Sequence, residues 1–181
     1  MMTARVSALT LALGCVALPR LVAAQGTPSP LADAFRADAQ TMTKNIVAAF
    51  EGMPAEKYGF KPTPAQMSVA DVAVHIAGDN DFLCSAIGGM PAPERAKVAA
   101  TDPKDKLVAR VRESFQFCEA ALAKIDDSKL GEQVPWEKNH TVSRARAIVE
   151  TVDDWSDHYS QLAIYLRLNG LLPPTARPKS S

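Results

Sequence analysis

Histidine and cysteine are scarce in this chain of 181 residues, with 3 of each, and aromatic residues make up only 6%. No nucleophile elbow, phosphate-binding loop or zinc-finger cysteine pair occurs, so the familiar short catalytic and nucleotide motifs are excluded. An excess of one charge is missing too, since 20 Lys and Arg face 20 Asp and Glu for a formal net charge of zero. A nucleic-acid binder would carry a basic stripe to neutralise phosphates, so no nucleic acid is expected as a partner. Low-complexity bias is absent, and with 47% hydrophobic and 22% charged residues the composition is that of one globular domain rather than a fibre or a disordered tail.

Long apolar runs are also missing. The longest, Val6 to Leu18, is broken by Pro19 and Arg20 and falls short of the about 20 residues needed to cross a bilayer. With Arg5 before it and Val22-Ala23-Ala24 after it, the run has the form of a secretory signal peptide, residues 1–24, cut before Gln25. The expected location is therefore periplasmic or secreted, with no integral membrane segment after processing. Processing removes Cys15 and leaves Cys84 and Cys118.

What remains is patterned for helices almost throughout. Leu31, Phe35, Ala39, Met42, Ile46, Ala49, Phe50 and Met53 recur at helical spacing from Ser29-Pro30 to Gly52 and Pro54, predicting a first helix over 31–52. A loop over 54–67 with three prolines follows, and Ser68 with Asp71 three residues on starts a second helix in a variant of the capping box. Val69, Val72, Ile76, Leu83 and Ile87 form its stripe, and Gly88-Gly89 ends it. A third helix is expected over 104–125, and a fourth over 143–169 stopped by Gly170 and Pro173-Pro174. No strand pattern competes. The fold class is all-α, a single four-helix bundle over 25–174 with a flexible tail over 175–181.

Two readings of the cysteines are open. Buried and unpaired, they serve as small apolar residues. Paired, they demand that the second and third helices run parallel, because both lie about 15 residues from the start of their helices and an antiparallel pair would separate them by roughly 15 Å. The connection from Met90 to Lys104 is long enough for such a crossover.

The histidines point to chemistry. Asp154 and His158 are four apart on the fourth helix, hence on one face, and His75 lies on the second helix beside Ile76. One histidine from a facing helix would complete a set of three ligands in the bundle core, with open positions for water or substrate. Gln161, three after His158, shares its face. His140 belongs to an exposed loop, and Trp155 and Tyr159 to core packing.

The segment Asp157-His158-Tyr159-Ser160-Gln161-Leu162, continuing through Tyr165-Leu166-Arg167-Leu168-Asn169-Gly170 to Pro173-Pro174, resembles the last helix of the DinB family. Met67 to Ala77, with His75, is similar to that family's second helix and its single metal histidine. The resemblance implies a bundle holding a divalent ion, zinc or nickel in several relatives, on three histidines. Those positions here are His75, Asp154 and His158. Asp154 stands where a histidine is usual and Ser160 where a glycine precedes the glutamine; an aspartate oxygen also suits zinc, manganese or iron. The function this implies is that of an exported metal-dependent hydrolase of an unidentified small molecule. A thiol transferase is the alternative within enzymes, though the low-molecular-weight thiols used by some relatives are cytoplasmic. A non-catalytic binding or stress-related bundle with a vestigial site is the alternative outside them. The only protein partner expected is a second copy, as a homodimer.

Overall fold

The computed structural model describes residues 28–178, so the expected signal peptide and its cleavage site lie outside the described residues. Four helices carry the fold: α1 (Pro30–Gly52), α2 (Val69–Gly88), α3 (Lys104–Leu122) and α4 (Arg144–Leu168). Each begins and ends for a local reason. Ser68 Oγ accepts from the Asp71 amide at 3.1 Å while an Asp71 carboxylate oxygen accepts from the Ser68 amide at 2.9 Å, closing the capping box at the start of α2. Ser29 makes no such cap. The free amides of Leu31 and Ala32 donate instead to the Asp127 carboxylate, at 3.2 and 2.8 Å, placing a negative group from a distant turn at the positive end of α1. At the far end of α3 the Arg36 guanidinium donates to the carbonyls of Leu122 (3.2 Å) and Ile125 (2.8 Å). The helix stops at Leu122, three residues before the expected end, while Ile125 is carried into the core by the following turn.

Register along the helices gives the topology. Arg110 donates to the Ala77 carbonyl, Asn80 to Ser114, Cys84 is bonded to Cys118, and Gly88 lies against Ala121, so α2 and α3 advance together and are parallel. A Cβ on Gly88 would stand 2.7 Å from the Ala121 Cβ, so only glycine allows this approach. Contacts between α2 and α4 run oppositely: Met67 meets Tyr165, Asn80 meets Trp155, Ile87 meets Arg144. The start of α1 meets the end of α3 at Asp127 and its end meets Lys104, so that pair is antiparallel as well. The order is up, down, down, up. Residues 89–103 must therefore return along the whole of α2, about 30 Å at 1.5 Å per residue, and in irregular, extended form they do. Gly89 starts the return in the left-handed conformation (φ 61°), and Arg95 latches it to Asp81 of α2 and Glu113 of α3.

The parallel arrangement settles the cysteines. Cys84 and Cys118 form a disulfide with Cα atoms 5.0 Å apart, and the reading as two unpaired thiols is overturned. Other expectations need correction. The segment after α3 is not wholly a loop, because β1 (Gln133–Pro135) and β2 (Thr141–Ser143) pair antiparallel with Val134 opposite Val142; three-residue strands are too short to show an alternating pattern in sequence. The tail also starts later than Thr175, since that residue's amide and hydroxyl both bond the Tyr159 hydroxyl and a 3₁₀ turn spans Pro174–Ala176.

The core is continuous between the helices, with Trp155, Tyr165, Phe50, Ile46, Ile76 and Leu162 almost fully buried. Leu31, expected on the buried stripe, is exposed, because the stripe begins with Ala32 and Phe35. Among the described residues no helix is long and apolar enough to cross a membrane.

Candidate metal centre

The antiparallel seam between α2 and α4 brings the three sequence-selected residues together. One donor atom from each of His75, Asp154 and His158 lies within 4.8 Å of the other two, as the helical spacing predicts. His158 Nε2 is 3.4 Å from Asp154 Oδ1, His75 Nε2 is 3.9 Å from the same oxygen, and the two imidazoles meet edge to face at 4.6 Å between centroids. His158 is buried, Asp154 mostly so, and His75 is 36% exposed, so the group is reached by solvent on the His75 side rather than sealed in the core. Asp153 and Asp157 turn to solvent, leaving Asp154 as the inward carboxylate of that acidic run.

A hydrogen-bond chain fixes the state of His158. The Tyr165 hydroxyl donates to the Met67 carbonyl at 2.9 Å, so its oxygen accepts from Gln161 Nε2, also at 2.9 Å. That sets the amide with Oε1 toward His158 Nδ1, 3.1 Å away, where only an N–H can complete the bond. Nδ1 therefore carries the proton in the neutral ring, and the lone pair is on Nε2, facing Asp154 and His75. Orienting a histidine through its other nitrogen is how ligand imidazoles are commonly held. Gln161 thus grips the ring itself, and the sequence had placed it only on the same face.

Two groups that sequence reasoning passed over complete the surroundings. Asp79, four residues after His75, puts Oδ2 3.3 Å from His75 Nε2. Burial pushes its carboxyl above the usual carboxylate range; His75 and His158 pull it down, while the Asp154 and Glu137 carboxylates push it up. The His158 imidazole is raised overall. Burial opposes its protonation, but the adjacent Asp154 carboxylate, the Gln161 acceptor and the Asp157 charge outweigh that cost. The second group is Asn80. Its Oδ1 accepts from Trp155 Nε1 at 2.7 Å and its Nδ2 donates to Ser114 Oγ at 3.0 Å, in the fully buried layer just below the site. Because Trp155 follows Asp154, this bond sets the rotation of α4 that presents Asp154. An i, i+4 acid after a histidine was visible in sequence; a buried asparagine on an apolar stripe carried no chemical signal.

The donor set suits a divalent ion. Two neutral imidazoles and one carboxylate are a common borderline to hard set, and Asp154 Oδ2 is buried without any hydrogen-bond partner. An orphaned carboxylate oxygen beside two histidine nitrogens is costly unless a cation faces it. His140, by contrast, is exposed on the β1–β2 connection, and Tyr159 bonds Thr175, so neither belongs to the cluster.

Comparison with solved structures gives the same architecture. A DinB-like protein from Bacillus subtilis matches with a TM-score of 0.64 at 17% identity, covering 80% of this chain and 99% of that one. A DinB-like protein from Bacillus cereus matches at 0.65 and 14% identity over 78% and 95%, and a conserved protein of Enterococcus faecalis at 0.62 and 17% over 76% and 96%. A search of curated protein sequences finds no match. The model of the DinB superfamily matches residues 39–162, from the middle of α1 through His75, Asp154 and His158 to Leu162, and the chain accordingly belongs to the DinB superfamily.

Proposed function

We propose that this is an exported metal-dependent enzyme, a hydrolase acting on a small molecule, with His75, Asp154 and His158 as the ligands of a divalent transition metal. The observation that carries the reading is the locked His158 tautomer beside the orphaned Asp154 oxygen. The chain spends a half-buried network of Gln161, Tyr165 and the Met67 carbonyl on turning one nitrogen lone pair toward a carboxylate whose Oδ2 has no hydrogen-bond partner. Lewis acidity toward a carbonyl, or acidification of a water, is what an ion supplies in such a setting when bound. The protein's own share is to hold its donors rigidly and to leave the half-exposed His75 side open to a substrate.

Export is supported by the signal-like residues 1–24 and by the disulfide, since such bonds persist mainly in oxidising compartments. Export in turn favours hydrolysis over transfer of cytoplasmic thiols. Metal analysis of protein purified from the periplasm or medium without a metal-binding tag, followed by screening against ester, amide and thiol-conjugate libraries, tests the reading. The expected result is one zinc, nickel, manganese or iron per chain and turnover that chelation abolishes. Metal-free protein that takes up no ion on reconstitution would replace the enzyme with a non-catalytic binding bundle.

A further inference from the structure

We infer that Asp79 is a fourth protein donor to this centre, so that its ligand set is two imidazoles and two carboxylates and favours manganese or ferrous iron more than a three-histidine set would. The inference rests on the metal-centre reading above and goes beyond it in ligand number and metal class.

Register is the first argument. Along the antiparallel seam, Met67 meets Tyr165, His75 meets His158, and Asn80 meets Trp155. Positions one turn beyond His75 on α2 and one turn before His158 on α4 then lie at one height, and those are Asp79 and Asp154. The chain therefore presents His-x-x-x-Asp on one helix and Asp-x-x-x-His on the facing one, two copies of one half-site related by the reversal of direction.

Distance is the second. A direct charge-assisted bond between an imidazole nitrogen and a carboxylate oxygen is about 2.7–2.9 Å long. The two i, i+4 pairs here stand wider, at 3.3 Å for His75 with Asp79 and 3.4 Å for His158 with Asp154. Two donors each about 2.1–2.2 Å from a common ion are about 3.0 Å apart at a right angle and about 3.5 Å apart at the tetrahedral angle, so both pairs stand at the spacing of neighbouring ligands, with further positions open to water when the ion is six-coordinate. Asp79 Oδ2 is also closer to His75 Nε2 than Asp154 Oδ1 is, at 3.3 against 3.9 Å. Asp79 stands outside the compact trio, but its side chain is 40% exposed and has room to turn inward.

Charge is the third. Neutral histidines with Asp154 alone offer a single negative charge to a doubly positive ion, whereas Asp79 makes the site neutral when loaded, which a half-buried position favours. Each added carboxylate also shifts preference toward harder ions.

The test strips the mature, disulfide-intact protein with chelator and measures Mn²⁺ and Zn²⁺ affinity by competition for wild type, Asp79→Asn and Asp79→Ala. Loss of a ligating carboxylate should weaken Mn²⁺ by about 100-fold and Zn²⁺, which keeps both imidazoles, by about tenfold or less. Crystals of manganese-loaded wild type give an independent readout, with an Asp79 oxygen expected about 2.0–2.2 Å from the ion. Equal losses for both metals, or none, or an Asp79 oxygen beyond about 3 Å from the bound ion, would overturn the fourth donor and leave the three-ligand centre standing. Wild type that binds neither metal would overturn both.

Discussion

Helix α2 faces two different neighbours. Toward α3 it is bolted, by the Cys84–Cys118 bond, by the Asp81–Arg110 ion pair, by Asn80 to Ser114, and by a glycine contact at Gly88 that brings the backbones together. Toward α4 its polar groups at His75 and Asp79 are held at spacings wider than hydrogen bonds, next to a carboxylate oxygen without a partner. One seam joins its polar groups by direct bonds, although Asp81 Oδ1 and Arg110 Nη1 keep no hydrogen-bond partner, and the other holds its groups apart. The contrast teaches that the parallel pair is the frame and the antiparallel seam is the proposed working surface, with α2 common to both.

Breaking the frame should cost the most stability and the least binding. The disulfide joins residues 34 apart, and closing a loop of that length is worth about 3–4 kcal/mol in the chain-entropy account, on the order of 10 °C in Tm for a domain of this size. Cys84→Ala with Cys118→Ala should show that loss in thermal unfolding, while metal affinity in a chelator competition stays within about twofold because the bond is remote from the ligands. A fall in affinity as large as the fall in stability would erase the distinction between the two seams.

Among the described residues, the Asn80 side chain hydrogen-bonds across both seams, to Ser114 of α3 and Trp155 of α4. Asn80→Leu leaves Trp155 Nε1 and Ser114 Oγ buried with lost partners, a cost of about 2–3 kcal/mol. Unlike the cysteine variant, it should also weaken metal binding by about tenfold through rotation of α4, so paired denaturation and metal titrations on the same preparation decide whether the frame is transmitted to the site.

How much of this contrast was legible in the sequence depended on whether a signal was local. Helical spacing and end residues located α1 to α4 within about three residues, and the i, i+4 placement of Asp154 and His158 put both on the inner face of α4. Topology was not legible. Nothing in the proline-bearing 89–103 segment distinguishes a slack surface loop from a return strap until Arg95 is seen against Asp81 and Glu113. The cap on α1 was not legible for the same reason: Ser29 has the local pattern of a cap, but the charge that neutralises the helix end comes from Asp127, far along the chain. Gln161 and Asn80 were legible only as residue types, because their roles depend on partners supplied by Tyr165 and Trp155.

The working seam has its own selective break. Gln161→Leu removes the acceptor for His158 Nδ1–H and frees the ring to adopt the wrong tautomer; metal affinity should fall by about 10–100-fold, or roughly 1.4–2.7 kcal/mol, with a smaller change in unfolding. Gln161→Glu, which still accepts that proton, should recover most of the affinity in the same titration. The smallest effect belongs to a place outside both seams. Asp127→Ala uncaps α1 and should cost about 1 kcal/mol in chemical denaturation without moving metal affinity, and Asp127→Asn should restore part of it.

The single bridge also bears on how the protein reaches its folded form. Cys15 lies in the segment proposed to be removed, so the mature chain offers two thiols and hence one possible pairing, where four would offer three. A chain that emerges unfolded into an oxidising space cannot be trapped by a wrong bridge. With export as proposed, its maturation depends on a supply of oxidant and not on a disulfide isomerase, and refolding from the reduced, denatured state should proceed with thiol oxidation as its slow covalent step.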